Sequence, residues 1–300
     1  MTDRAGRAGV LLAAIGATSY GVTVVVGEDL ADAGFGPTTS LGVRFAVGGI
    51  LLAVVLRVRR VALVPSARTV FIGLGLGVAY AAESTLFFSA LERGTAAAVA
   101  LIFYVYPAMV TIIQLLRGRE RPHRTTFVAL SLSIFGAAIV VVGGGDVSIT
   151  AAGVLLAIGA AATFTIYMLV GREFGRNVDP MLVACWVSIG ASSSNLARGA
   201  LSGQLVDPSG RTLEIILYGA ATAVAFTLTF AAMNRIGAAR VAVVMTLEAV
   251  ASVVMAAVFL GESMTGVQVI GGIAVLAGAV VIARSQPSTT ATAAAPAAGT

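Results

Sequence analysis

A chain of 300 residues that is 58% hydrophobic and only 11% charged, with a mean hydropathy of +0.98, lies far from the ~25% charged residues of a soluble domain and reads as an all-α integral membrane protein. The net charge of +5 does not imply nucleic acid as a partner, because basic residues in a membrane chain are read by their position between spans. A single cysteine, Cys185, excludes an intrachain disulfide, a single histidine, His123, excludes a multi-histidine metal site, and the sequence calls for neither cofactor nor metal.

The basic N-terminus leads into an apolar stretch of ~19 residues, longer than the 7–15 of a signal-peptide core. It is therefore read as a retained first span, although Ala31 and Ala33 resemble a cleavage site. A hydrocarbon core of ~30 Å needs ~20 apolar residues per helix, and runs bounded by charge, Gly or Pro give ten spans at roughly 8–26, 37–56, 69–91, 94–117, 125–143, 150–171, 180–199, 212–234, 238–260 and 265–283. The tail from 285 to 300, rich in Pro, Thr and Ala and without charge, is expected to be a disordered cytoplasmic segment.

Arginine placement tests this division. All nineteen basic residues are Arg. One set of alternate connections and both termini hold fifteen: Arg4, Arg7, Arg57, Arg59, Arg60, Arg68, Arg117, Arg119, Arg121, Arg124, Arg172, Arg176, Arg235, Arg240 and Arg284. The opposite connections hold Arg93, Arg198 and Arg211, and Arg44 lies within a span. Cytoplasmic loops carry the excess of positive charge, so a multi-pass cell-membrane protein with both termini in the cytoplasm is expected.

The chain also repeats itself. At an offset of 142 residues, Leu86, Phe88, Ala90, Arg93, Ala97 and Val99 meet Leu228, Phe230, Ala232, Arg235, Ala239 and Val241. Glu120 meets Glu262 and Gly136 meets Gly278 at the same offset. Two five-helix repeats, 8–143 and 150–283, follow. Because five is odd, the second enters the membrane upside down, the inverted-repeat plan of secondary transporters.

The fourth-span segment "AAAVALIFYVYPAMVTIIQLLRGRE", its second copy "ARVAVVMTLEAVASVVMAAVFLGES" and the second-span "LGVRFAVGGILL" resemble the EamA-like family of the drug/metabolite transporter superfamily. The resemblance covers about residues 8 to 283 and implies ten helices around a central cavity, peripheral last helices in each half, and transport of small metabolites, often outward. Ala249 stands where the family's second repeat carries Pro, which removes the sequence reason for a helix break there, and Tyr106 stands where a Glu-Pro pair is expected in the first.

A charge at mid-bilayer costs on the order of 3 kcal/mol, so each needs a partner or a wet cavity. Three are deep: Arg44, Glu83 and Glu248. Arg44 lies ~10 Å and Glu83 ~12 Å from the outer ends of antiparallel spans, which predicts a charge-assisted pair, either a static link between helices or part of a cavity wall. Glu248 lies ~18 Å deep, with Met245 and Ser252 on its helical face. Tyr80 shares a face with Glu83 and Phe87; Tyr104 shares one with Pro107 and Thr111; Ser188, Ser192 and Asn195 form a polar stripe, for which close helix packing is the favoured reading. Trp186 and Tyr167 are candidate aromatic walls. The candidate substrate-binding set is Glu83, Arg44, Glu248, Tyr80, Tyr104, Tyr106, Trp186 and Asn195.

These features describe a permease of a small metabolite, such as an amino acid, working by alternating access, with the lipid bilayer as its other partner. A non-transporting scaffold or receptor and an intramembrane enzyme are the alternatives. "GGGD" at 143–146 resembles part of an aspartyl protease motif, but no second mid-membrane Asp accompanies Asp146, and no HExxH is present, so no enzyme is expected. Substrate, direction, coupling ion and the choice between monomer and homodimer stay open.

Overall fold

In the computed structural model, residues 2–118, 124–143, 145, 147–208, 210–260 and 264–284 are described. Arg119, Glu120, Arg121, His123, Asp146, Glu262 and the tail from 285 to 300 lie outside the described residues. The chain is helical almost throughout: α1 (Thr2–Asp32), α2 (Pro37–Val58), α3 (Ala67–Leu91), α4 (Ala96–Phe103), α5 (Tyr106–Leu116), α6 (Arg124–Val142), α7 (Ala151–Gly175), α8 (Pro180–Ser202), α9 (Thr212–Ile236), α10 (Ala238–Met245), α11 (Leu247–Met255) and α12 (Gly266–Arg284). A π-helical turn, Ala256–Leu260, continues α11.

Local chemistry sets where the helices start. The Ser66 hydroxyl accepts from the Thr69 N–H at 3.1 Å, Thr95 from Ala98 at 3.3 Å and Thr150 from Gly153 at 3.2 Å, each satisfying a donor that the first helical turn leaves open. Asp179 caps α8 through the Met181 N–H at 2.8 Å, Pro180 sits at its first position, and Gly203, with φ +67°, ends it in the left-handed region. Among the described residues one antiparallel bridge, Gly94 with Ile149, ties the α3–α4 connection to the α6–α7 connection, with Thr95 N–H donating to Ser148 O at 2.8 Å.

Nine segments among the described residues are long and apolar enough to cross a membrane, counting α4 with α5 and α10 with α11 as single crossings. The tenth expected crossing, α8, is 23 residues long but carries a polar stripe. It lies between α2 and α3, where the stripe is buried: Ser192 donates to Gly42 O at 2.9 Å, and Ser188 is fully buried beside Gly49.

Two expected crossings are broken. In the fourth, the helix stops at Phe103 and restarts at Tyr106, because Pro107 lacks an N–H and its ring displaces the carbonyl four residues back. In the ninth, which has no proline, the helix stops at Met245 and restarts at Leu247. There the Thr246 hydroxyl donates to Val243 O at 2.7 Å, competing for the carbonyl and turning the backbone. An unbroken ninth helix, expected from Ala249, is thus corrected. Tyr104 and Thr246, the residues at the two breaks, stand 142 apart.

Helix contacts recur at the same offset. α6 packs on α12 and α2 on α8; α1 packs on α9 as α7 packs on α3, and α2 on α9 as α8 on α3. Two backbone approaches show this closely. A Cβ added at Gly77 would stand 2.7 Å from the Cα of Gly190, and one added at Gly219 would stand 2.9 Å from the N of Gly48. Gly48 with Gly190, and Gly77 with Gly219, are again 142 apart, so small residues permit two equivalent close crossings.

Candidate functional site

A cavity of about 410 Å³ opens among α1, α2, α3, α4, α5, α7, α9 and α11. Its lining on α1 and α2 runs from Tyr20 to Arg44 across the α1–α2 connection, where Ala31 and Pro37 are exposed at its rim. Aromatic packing closes the other side. Tyr80 meets Phe226 at 5.0 Å, Tyr167 at 5.2 Å and Phe45 at 5.4 Å, and Phe164 meets Tyr106 at 4.8 Å, all in the edge-on arrangement that rings favour. Phe45, Phe226 and Phe230 are almost fully buried behind that layer.

Six residues expected at a site line this one cavity: Arg44, Glu83, Glu248, Tyr80, Tyr104 and Tyr106. Phe87 joins them, as its shared face with Tyr80 and Glu83 requires.

Arg44 and Glu83, expected to pair, form no ion pair within 4.0 Å; salt bridges lie elsewhere, Arg59–Asp179, Arg93–Glu92, Arg211–Asp29 and Arg211–Glu214 among them. Arg44, 8% exposed, instead donates from Nη1 to the Tyr218 hydroxyl at 3.4 Å. Its guanidinium also stands 4.5 Å from the Phe45 ring centre and 5.0 Å from that of Tyr218. Rings stabilise the cation through their quadrupoles without neutralising it. The Nε of Arg44 is buried without a hydrogen-bond partner.

Glu83, 6% exposed, accepts from the Ser84 hydroxyl at 3.2 Å. Glu248 sits in the first turn of α11, where the helix N-terminus favours negative charge, and Ser252 donates to its backbone carbonyl at 2.8 Å. No side chain among the described residues hydrogen-bonds its carboxylate. The break at Thr246 separates it from Met245, which ends α10 and is buried against α9, with the Thr229 hydroxyl 3.7 Å from its sulfur; the shared face expected from an unbroken helix is corrected.

Trp186 and Asn195 do not line the cavity. The Trp186 Nε1–H donates to Leu63 O at 2.8 Å in the α2–α3 connection, and its Cβ abuts Gly73. Asn195 is 1% exposed, donates to Ala191 O at 2.9 Å within its own helix and accepts from Arg198 at 3.4 Å. Arg240, expected in a connection, is instead 4% exposed in the first turn of α10, where it donates to Ile282 O at 2.6 Å near the C-terminus of α12, an end that attracts cations.

Several wall residues escaped sequence reasoning: Tyr20, Thr23, Phe103, Phe164 and Tyr218. Tyr20, Thr23, Gly27 and Ala31 follow helical spacing along α1, a signal that was available. Tyr218 becomes recognisable only through its contact with Arg44, 174 residues away in sequence.

Comparison with known proteins accords with this architecture. A solved crystal structure of a protein 18% identical to this chain superposes with a TM-score of 0.77, covering 91% of this chain and 96% of the other, and shows the shared fold. The threonine/homoserine exporters RhtA of Salmonella typhimurium (strain LT2) and Escherichia coli (strain K12) are each 26% identical over 245 residues, covering 78% of this chain and 77% of theirs. The model of the EamA-like transporter family matches twice, at residues 7–142 and 151–284, and the chain, a multi-pass membrane protein, belongs to that family.

Proposed function

We propose that this protein exports a small metabolite of the amino-acid class by alternating access and that the cavity among α1, α2, α3 and α11 is its substrate site. The observation that carries the reading is the set of three charged side chains, Arg44, Glu83 and Glu248, lining one largely apolar cavity with no ion pair among them. Buried charge is retained in a membrane protein where a ligand or water completes it. An α-amino acid supplies a carboxylate for a guanidinium and an ammonium for a carboxylate. Similarity to proteins named threonine/homoserine exporters supports both the substrate class and the outward direction.

The reciprocal helix contacts and the two family matches support inverted halves, 8–143 and 150–283, that rock against each other. The excess of arginine on one face supports cytoplasmic termini. With that orientation the cavity opens outward and the aromatic layer around Tyr80 and Phe226 seals the cytoplasmic side. Transport, with no enzymatic step, is the function that this arrangement serves.

The test is counterflow of labelled homoserine and threonine into proteoliposomes containing the purified protein. Saturable flux is expected, with at least about tenfold loss in Arg44→Ala and Glu83→Gln, as removal of a charge-assisted contact entails. Detergent melting temperatures of the variants establish that they are folded. Flux that is unchanged in both folded variants removes the cavity from the transport path.

A further inference from the structure

The deep acids and bases of the cavity are unequal in number. Arg44 contributes one guanidinium; Glu83 and Glu248 contribute two carboxyl groups, and no cation among the described residues lies within ion-pair distance of either acid. A third acid, Glu28 at the rim, has an interaction of its own and does not enter this count. An α-amino acid with a neutral side chain satisfies Arg44 and one acid and leaves the other without a partner.

We infer that the site prefers an amino acid carrying a second amine, a diamino monocarboxylic acid of net charge +1, over its neutral isosteres. The inference rests on the proposed function, since it assumes that this cavity binds the transported amino acid. Two further observations assign the roles. Phe45, beside Arg44, meets Tyr80, which lies one turn from Glu83, so Arg44 and Glu83 face a common volume suited to the α-carboxylate and α-ammonium. Glu248 comes from a different helix, α11, and lies within electrostatic range of Tyr104 and Tyr106, both cavity-lining phenols. Its oxygens accept no hydrogen bond from the described residues. A side-chain ammonium entering there gains a charged partner and phenolic acceptors that a hydroxyl cannot use equally.

Homoserine and 2,4-diaminobutyrate isolate this difference, because they share a carbon skeleton and differ at the terminal group, hydroxyl against ammonium. Competition of each unlabelled compound against labelled homoserine counterflow gives their relative apparent affinities. Diaminobutyrate is expected to compete about tenfold more strongly in the natural protein, the scale of one charge-assisted contact. In Glu248→Gln the ratio is expected to fall towards one, whatever the residual flux. Equal competition, or stronger competition by homoserine, in the natural protein overturns the inference while leaving the amino-acid transport reading standing. A ratio that stays near tenfold in a folded Glu248→Gln protein overturns the role of Glu248. Absence of homoserine flux in the natural protein defeats the underlying transport reading instead. Should the variant fail to fold, the ratio in the natural protein alone decides the preference.

Discussion

The contacts that hold the bundle together and the wall of its cavity answer to different physical constraints. Gly77 against Gly190 and Gly219 against Gly48 are the same approach made twice, 142 residues apart. The cavity wall does not repeat. Tyr106 stands 142 residues before Glu248, Glu83 before Ala225, and Arg44 before Trp186, so a phenol, an acid and a guanidinium in one segment face an acid, a methyl and an indole in the other. From the second segment, among the described residues, Phe164, Tyr218 and Glu248 reach the cavity. Packing at a helix crossing needs little more than the absence of a side chain, which both copies satisfy alike. Recognition of a molecule without twofold symmetry requires the copies to differ.

The largest predicted effect tests the repeated part. Gly77→Leu and Gly219→Leu each force a side chain against backbone atoms of a facing helix, and each is expected to destabilise by about 3 kcal/mol or more, beyond ordinary overpacking. Parallel losses of folded protein in detergent melting would confirm the equivalence; tolerance of one alone would break it.

The next tests the part that does not repeat. Arg44→Ala is expected to weaken substrate by roughly 30-fold or more, corresponding to about 2 kcal/mol for a buried charged contact. At the matching position, Trp186→Phe removes the bond to Leu63 O and part of the ring, and is expected to cost about 1 kcal/mol of stability with substrate affinity unchanged. Equilibrium binding and melting on the same samples separate the two outcomes.

A smaller change is expected at Tyr218→Phe, which deletes the hydroxyl that accepts from Arg44 but keeps the ring beneath it. Apparent KM should rise about fivefold with maximal flux retained, the scale of one modest hydrogen bond. The smallest effect is Ala249→Pro. It lies in the first turn of α11, just after a break already made, and replaces one bond, Ala249 N–H to Thr246 O at 3.1 Å. A change within about 1 kcal/mol is expected, against the ~3 kcal/mol of a proline inside an intact helix.

Hydropathy made the helical membrane architecture legible, and the matching fourth and ninth spans carried the family. The deep charges were legible too, because a carboxylate in an apolar run is conspicuous: Glu83, Glu248 and Arg44 all reach the cavity. Their partners were not. Equal depth suggested Arg44 with Glu83, but depth fixes only one coordinate, and the rings of Phe45 and Tyr218 hold the guanidinium elsewhere. The break at Thr246 was hidden because a hydroxyl, common in helices, performs there what proline announces in the fourth span. Trp186 and Asn195 are polar residues in a buried helix, and sequence does not distinguish a group aimed at a cavity from one satisfied by a neighbouring carbonyl.

A structure determined with homoserine bound tests the central claim most directly. The account predicts ligand density in the cavity, its carboxylate on Arg44 and its ammonium on Glu83. Density seated outside the cavity, with Arg44, Glu83 and Glu248 untouched, would contradict it.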